Sequence, residues 1–256
     1  RNLGQSTAAL NKSLERLSSG LRINRAADDA AGLAIAEGFR SQVRGSQVAQ
    51  RNAQDGVSLV QTAEGALSET TNILQRVREL AVQASNGTQS TKNRAALDTE
   101  VQQLLAQIDD IAIDTEFNGI SVLSSSQTVT LQSGANPSQT LNVVVQGSKT
   151  GDLGVSTVAV SSMQLAVSAI STIDRALQSV STLRSNLGAY QNRLEFTINT
   201  LSIQEENAAS SESMIRDADI ARETIGFTRN QILVSSGTSV LAQANIVPQT
   251  ALQLLG

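Results

Sequence analysis

The feature that most constrains this chain is a repeat between Met163 and Leu201. Taking every third and fourth residue gives Met163, Ala166, Ile170, Ile173, Leu177, Val180, Arg184, Leu187, Gln191, Leu194, Ile198 and Leu201, with steps alternating between three and four. Only Arg184 and Gln191 interrupt the apolar run. A helix of that length spans roughly 58 Å at 1.5 Å per residue, about twice the diameter of a small domain, so it reads as a rod and not as the core helix of a compact enzyme. A narrow apolar seam on a polar rod is stable only against partner helices.

The rest of the chain supplies candidate partners. Leu3, Thr7, Leu10, Leu14, Leu17 and Leu21 keep the same rhythm and predict an amphipathic helix ending at Ser18-Ser19-Gly20, where glycine can take the left-handed conformation. Asp28 and Asp29 can cap the next helical region, expected from about residue 29 to residue 84. Its seam is Val60, Ala63, Leu67, Thr70, Leu74, Val77, Ala81 and Ala84, and Gly38, Gly45 and Gly56 are expected to kink or break it. After the turn signal Ser85-Asn86-Gly87-Thr88, a third helix over about 93–113 carries Leu97, Val101, Leu104, Ile108 and Ile111 on one face.

Periodicity then changes. Between Glu116 and Asp174 the only charged residues are Lys149 and Asp152, and Thr128-Val129-Thr130-Leu131 and Leu141-Asn142-Val143-Val144-Val145 read as strands of a small hairpin within about 117–160. The rod helix is expected over about 162–204, followed by a polar stretch from Glu205 to Ser213. A last helix is expected from about Asp217 to Gln243, carrying Ala218, Ala221, Ile225, Ile232, Leu233, Gly237, Val240, Leu241 and Ala244. Val247-Pro248 should end or kink it before an apolar tail of Leu252, Leu254 and Leu255. The fold class that follows is mainly α: long antiparallel coiled-coil or bundle rods with a small central β-hairpin region. The terminal helices have only a short two-helix contact, so they should be marginal in an isolated monomer and order on association. A head-to-tail interface of that kind builds a helical filament when its rotation does not close.

Composition narrows the function. The chain has no Cys and no His, which removes a thiol nucleophile, an imidazole base and the usual zinc sites, and no cofactor is expected. Absence of Cys also suits export into an oxidising exterior. With 23 carboxylates against 19 scattered basic residues, nucleic acid is not an expected partner. No apolar run is long enough for a membrane span, and the N-terminus lacks the blocks of a secretory signal. The chain does not begin with Met, and Arg1 reads as the start of a trimmed chain. Adjacent carboxylates such as Asp109-Asp110 and Glu205-Glu206 point to different helix faces and read as solvated charge. The sequons Asn11-Lys12-Ser13 and Asn86-Gly87-Thr88 read as chance, and the central Ser and Thr residues as soluble surface that could accept O-linked sugars.

Several stretches resemble a known family. Leu14-Glu15-Arg16-Leu17-Ser18-Ser19-Gly20-Leu21-Arg22-Ile23-Asn24, followed by residues 27–36 (Ala27-Asp28-Asp29 through Ala36), resembles the N-terminal signature of bacterial flagellin. Residues 74–83 resemble its first long helix, and Phe117-Asn118-Gly119 the start of its hairpin region. Gln231-Ile232-Leu233 and residues 237–245 resemble its C-terminus. The resemblance implies a self-assembling subunit of the flagellar filament, in a minimal core-only form. It implies export unfolded by the flagellar type III apparatus, with an export chaperone and a cap protein as partners and an extracellular location. Residues 1–28 and 211–256 would be inner-tube helices and residues 29–210 the rod domain. The implied polymerisation seams are Leu10, Leu14 and Leu17 with Ile232, Leu233, Val240, Leu241 and Ala244. The family's site for a Toll-like innate immune receptor maps to Gln75, Arg76, Glu79, Leu80 and Gln83, an expected exposed polar face with Leu80 as apolar anchor. Two departures stand out: Gln107 where recognised flagellins commonly carry Glu, a change that would weaken receptor binding, and the family's further residues before the position of Arg1. Rival readings are a hook-filament junction protein of the same family and a secreted coiled-coil adhesin or receptor ligand; an enzyme ranks last.

Overall fold

A computed structural model describes the backbone of residues 1–255 and the side chains of residues 1–246. It contains helices α1 (Asn2–Ser19), α2 (Ala30–Ser85), α3 (Thr91–Asp114), α4 (Met163–Arg216) and α5 (Ile220–Leu255). Between α3 and α4 lie strands β1 (Glu116–Phe117), β2 (Ile120–Ser121), β3 (Gln127–Gln132) and β4 (Thr140–Val145). The chain forms two compact units, Gly45–Ile203 and Arg1–Arg44 with Gln204–Gly256.

In the unit Gly45–Ile203, α2, α3 and α4 share one core. All eight seam residues of α2, from Val60 to Ala84, are buried. On α4 the buried positions include Ala166, Ile173, Val180, Leu187, Leu194 and Leu201, at steady seven-residue steps, with Ile170, Leu177 and Ile198 half-buried beside them. Cross-helix bonds run antiparallel: Arg78 Nε to Asp174 Oδ1 at 2.7 Å, Arg184 Nη2 to Glu64 Oε1 at 3.6 Å, and Gln50 Nε2 to Ser202 Oγ at 3.2 Å. The two interruptions of the α4 seam are thus accounted for, because Arg184 reaches Glu64 and Gln191 donates to Glu195 at 3.2 Å. On α3 the buried face is Val101, Leu105, Ile108 and Ala112, with Leu104 and Ile111 half-buried, a stripe rotated from the predicted one.

Helix α2 runs unbroken through Gly38, Gly45 and Gly56, against the expected kinks. An interior glycine costs about 1 kcal/mol relative to Ala, and packing at two of these positions offsets it. A Cβ on Gly56 would overlap Leu131 Cδ1 of β3, and one on Gly45 would lie 2.8 Å from Ala135 Cβ. Missing side chains let the β3–β4 hairpin approach the helix.

β3 and β4 pair antiparallel from Gln127↔Val145 to Gln132↔Thr140, and Leu141, Val143 and Val145 face the core. β1 and β2 form a second, minimal hairpin whose two turn residues, Asn118 (φ 52°) and Gly119 (φ 75°), both have positive φ, the signature of a tight two-residue hairpin turn. Beyond β4 the chain lies along α3 as a strap. The Val160 N–H donates to Asp98 Oδ1 (2.6 Å), Gln102 Nε2 donates to the Val158 carbonyl (2.9 Å), and Thr150 donates through N and Oγ1 to Asp109 (each 2.8 Å at closest). Asp109 is therefore a structural acceptor and not merely solvated charge.

Three expected helix ends move. The polar residues from Glu205 to Ser213 continue α4 to Arg216, because Ala208 is buried and Arg216 pairs with Glu212 and with Glu37, each at 3.5 Å. α5 starts at Ile220, three residues after Asp217, where Asp219 Oδ1 accepts from the Arg222 N–H at 3.1 Å. Its backbone stays helical through Val247-Pro248 to Leu255: a proline removes one hydrogen bond, and the helix does not end there. The apolar tail of Leu252, Leu254 and Leu255 lies outside the residues whose side chains are described.

Candidate assembly and recognition surfaces

Helices α1 and α5 form an antiparallel pair. Leu3 Cδ1 lies 3.1 Å from where a Cβ on Gly237 would stand, Ser13 Oγ lies 3.8 Å from the same point on Gly226, and Arg16 reaches Glu223 at 3.6 Å. The glycines of α5 permit this approach. Leu3, Leu10 and Leu17, at steps of seven, turn partly inward with buried Ser13 between them.

The connectors at the base of this pair are joined. Leu21 bridges Asp217, the Arg22 N–H donates to the Arg216 carbonyl at 2.7 Å, and the Ala218 N–H donates to the Gly20 carbonyl at 2.9 Å. Gly20 closes α1 at φ 72°, as its sequence position predicts. Asp28 organises the loop between α1 and α2. Its carboxylate accepts from Lys12 Nζ at 2.9 Å and from the Arg25 and Asn24 N–H groups at 3.2 and 3.3 Å. These bonds, that of Lys12 foremost, lower its pKa from 3.8 to about 2.

What the pair leaves uncovered is more informative. Leu14, Ile225, Ile232, Leu233, Val240 and Leu241 are all exposed large apolar residues, Val240 at 66%, and Ala244 is exposed with them. Ile225, Ile232 and Leu233 line a shallow groove with Thr224, Thr228 and Arg229. Two helices can cover only one stripe each, and α5 is apolar on more than one.

Residues 1–128 match the family model for the bacterial flagellin N-terminal helical region, and residues 170–255 that for the C-terminal helical region. The chain belongs to the bacterial flagellin family. A flagellar filament 33 kDa core protein of Treponema phagedenis is 44% identical over 272 residues, covering 100% of this chain and 95% of the relative. A flagellin of Halalkalibacterium halodurans is 49% identical over 258 residues, with the same coverages. The crystal structure of Bacillus cereus flagellin superposes with a TM-score of 0.51 at 32% identity, covering 59% of this chain and 88% of that one. Flagellins are structural subunits of the flagellar filament, and this chain is one.

On the flagellin's α2, Gln75, Arg76, Glu79 and Gln83 form an exposed polar face. Arg76 binds Glu100 of α3 at 2.9 Å and Glu79 at 3.1 Å, and these two carboxylates, Glu100 first, raise its pKa. Leu80 does not belong to this face. It is 1% exposed and packs in the core with Val77, Ala81 and Ala84, so it is no surface anchor. The exposed apolar residue here is Val82. Leu80 stands three residues after Val77 and four before Ala84, within the seam's own rhythm. Gln107 is exposed on α3.

Proposed function

We propose that α1 and α5 are the polymerising elements of this subunit, forming the inner wall of the filament tube, while residues 29–210 supply its outer layer. The observation that carries this reading is the uncovered stripe Ile225, Ile232, Leu233, Val240 and Leu241 beside Leu14. Covering each of these half-exposed side chains would contribute roughly 1 kcal/mol, so a few together match the free energy of a specific contact. Neighbouring copies of α1 and α5 are the proposed cover. The subunit is proposed to leave the cell unfolded through the flagellar export apparatus, escorted by a chaperone and placed by a cap protein. Absence of Cys is consistent with that route.

The test is seeded polymerisation with sheared filaments, read by electron microscopy. Val240→Glu should leave the folded monomer's circular dichroism unchanged and stop filament growth. Normal filaments from Val240→Glu would remove α5 from the wall.

A second reading concerns recognition by a Toll-like innate immune receptor through Gln75, Arg76, Glu79 and Gln83. Their joint exposure on one face of α2 supports it. Arg76→Ala should weaken receptor activation by the monomer without lowering its melting temperature, whereas Leu80→Ala should lower the melting temperature. Full activation by Arg76→Ala would sink this reading.

A further inference from the structure

Asn86-Gly87-Thr88 forms the turn between α2 and α3, outside the α1–α5 pair. Asn86 Oδ1 accepts a hydrogen bond from the Thr88 N–H at 3.2 Å, folding the side chain over the backbone that follows it. The bond holds the Asn86 side chain over the peptide that joins it to Gly87, a glycine with open space where a Cβ would stand. The Gly87 N–H makes no hydrogen bond among the described residues. Arg94 holds the turn in place, donating from Nε to the Ala84 carbonyl at 2.8 Å and from Nη2 to the Asn86 carbonyl at 3.0 Å. All three turn residues are exposed, so water reaches them.

We propose that Asn86 is a self-modifying site, at which the turn converts its own asparagine to aspartate and isoaspartate without an enzyme. The Gly87 nitrogen gives up its proton and bonds to Asn86 Cγ. The bond from Cγ to the side-chain amide nitrogen breaks, and that nitrogen leaves as ammonia. Water then opens the resulting cyclic imide at either carbonyl, giving aspartate or isoaspartate; only water is consumed and no redox change occurs. During attack, negative charge develops on Oδ1, where the Thr88 N–H already points. A donor aimed at a developing oxyanion lowers the barrier.

The chain carries its own control in Asn118-Gly119. This pair has the same residues but sits in the β1–β2 turn, with Asn118 at φ 52°, flanked by Phe117↔Ile120 pairing and by the Val122 N–H donating to the Thr115 carbonyl at 3.0 Å. Cyclisation there has to rotate a backbone that the hairpin holds. The consequences at Asn86 are structural: a new carboxylate would stand at the C-terminal end of α2, which disfavours negative charge, and isoaspartate would lengthen the backbone where Arg94 grips it.

The experiment is incubation of the full-length chain in mildly alkaline buffer, with peptide mass spectrometry and isoaspartate detection at both sites, repeated in strong urea. In the folded chain Asn86 should convert faster than Asn118, by on the order of tenfold relative to their ratio in urea, less than a fully preorganised oxyanion donor supplies. Equal ratios in the two conditions, or a faster Asn118, would overturn the proposal. Thr88→Pro removes the N–H donor and should slow Asn86 while leaving Asn118 unchanged; an unaltered Asn86 rate in a folded Thr88→Pro chain would also overturn it.

Discussion

The seam of α2, α3 and α4 and the pair α1–α5 are written in the same three-four rhythm but end in opposite states. In the first, three helices and a hairpin surround one line of side chains, and every seam residue of α2 is buried. In the second, two helices meet along one stripe, and large apolar residues remain in solvent on both. Periodicity alone says that a helix has an apolar face; the number of neighbours decides whether that face is a core or an interface. The seam is finished within one chain, and the terminal pair leaves an apolar stripe in solvent, the stripe proposed above to be covered by other copies.

The sharpest way to break this comparison is to substitute on both sides of it. Leu74→Ala in the seam should cost about 2–5 kcal/mol, the range for a fully buried leucine, read as a large loss of monomer stability in urea. Ile232→Glu should cost the monomer nothing measurable and abolish seeded growth. If Ile232→Glu instead unfolds the monomer, the exposed stripe is internal packing and the distinction between the regions collapses.

A second substitution sharpens the seam itself. Gly56→Ala gives α2 a better helix former, and on propensity alone would stabilise it by about 1 kcal/mol. The added methyl would overlap Leu131, so the expected outcome is a net loss of about 1–3 kcal/mol. A rise in the urea midpoint would show that the hairpin yields at that contact.

Most of the helical architecture was legible from spacing, because a residue every three or four positions has one physical meaning in a helix this long. Gly20 closing α1 and the strands around Thr128–Leu131 and Leu141–Val145 were legible for local reasons: a left-handed cap and two-residue alternation. The unbroken α2 was not, because glycine's propensity cost is local while the contacts with Ala135 and Leu131 that offset it come from some 75 to 90 residues away. The strap on α3 was hidden for the same reason. Asp98, Gln102 and Asp109 fall on one helix face, but nothing in their spacing says that the backbone of Thr150, Val158 and Val160 will lie there. On the candidate sites, the exposed stripe of α5 could be read in outline, whereas Leu80 was assigned by analogy to a surface its own rhythm contradicts.

A smaller effect separates the regions by charge. Arg184 and Glu64 lie 3.6 Å apart with both side chains 38% exposed, so Glu64→Gln should change stability by less than about 1 kcal/mol. A larger loss would mean that this polar interruption contributes as much as its apolar neighbours.

The smallest predicted effect lies at Asp28, in the loop that leads from α1 into α2. Its carboxylate is held at a pKa of about 2 against 3.8 for the free group, chiefly by Lys12 and then by two backbone N–H groups. A depressed pKa means that the ionised form favours the folded loop. That contribution is fully present above about pH 4 and is lost as the pH falls toward about 2, where the folded carboxylate takes up its proton. Asp28→Asn removes the charge at every pH. The variant should therefore melt slightly below the wild type near neutrality, with the gap closing in acid. The seam offers no equivalent, because its buried positions are almost all apolar and carry no titrating group. Acid should accordingly loosen the α1–α2 loop before it reaches the core, visible as early loss of amide protection at Asn24 and Arg25 while the amides of Leu74 and Ile173 stay protected. Simultaneous loss at both places would mean that the two regions unfold as one.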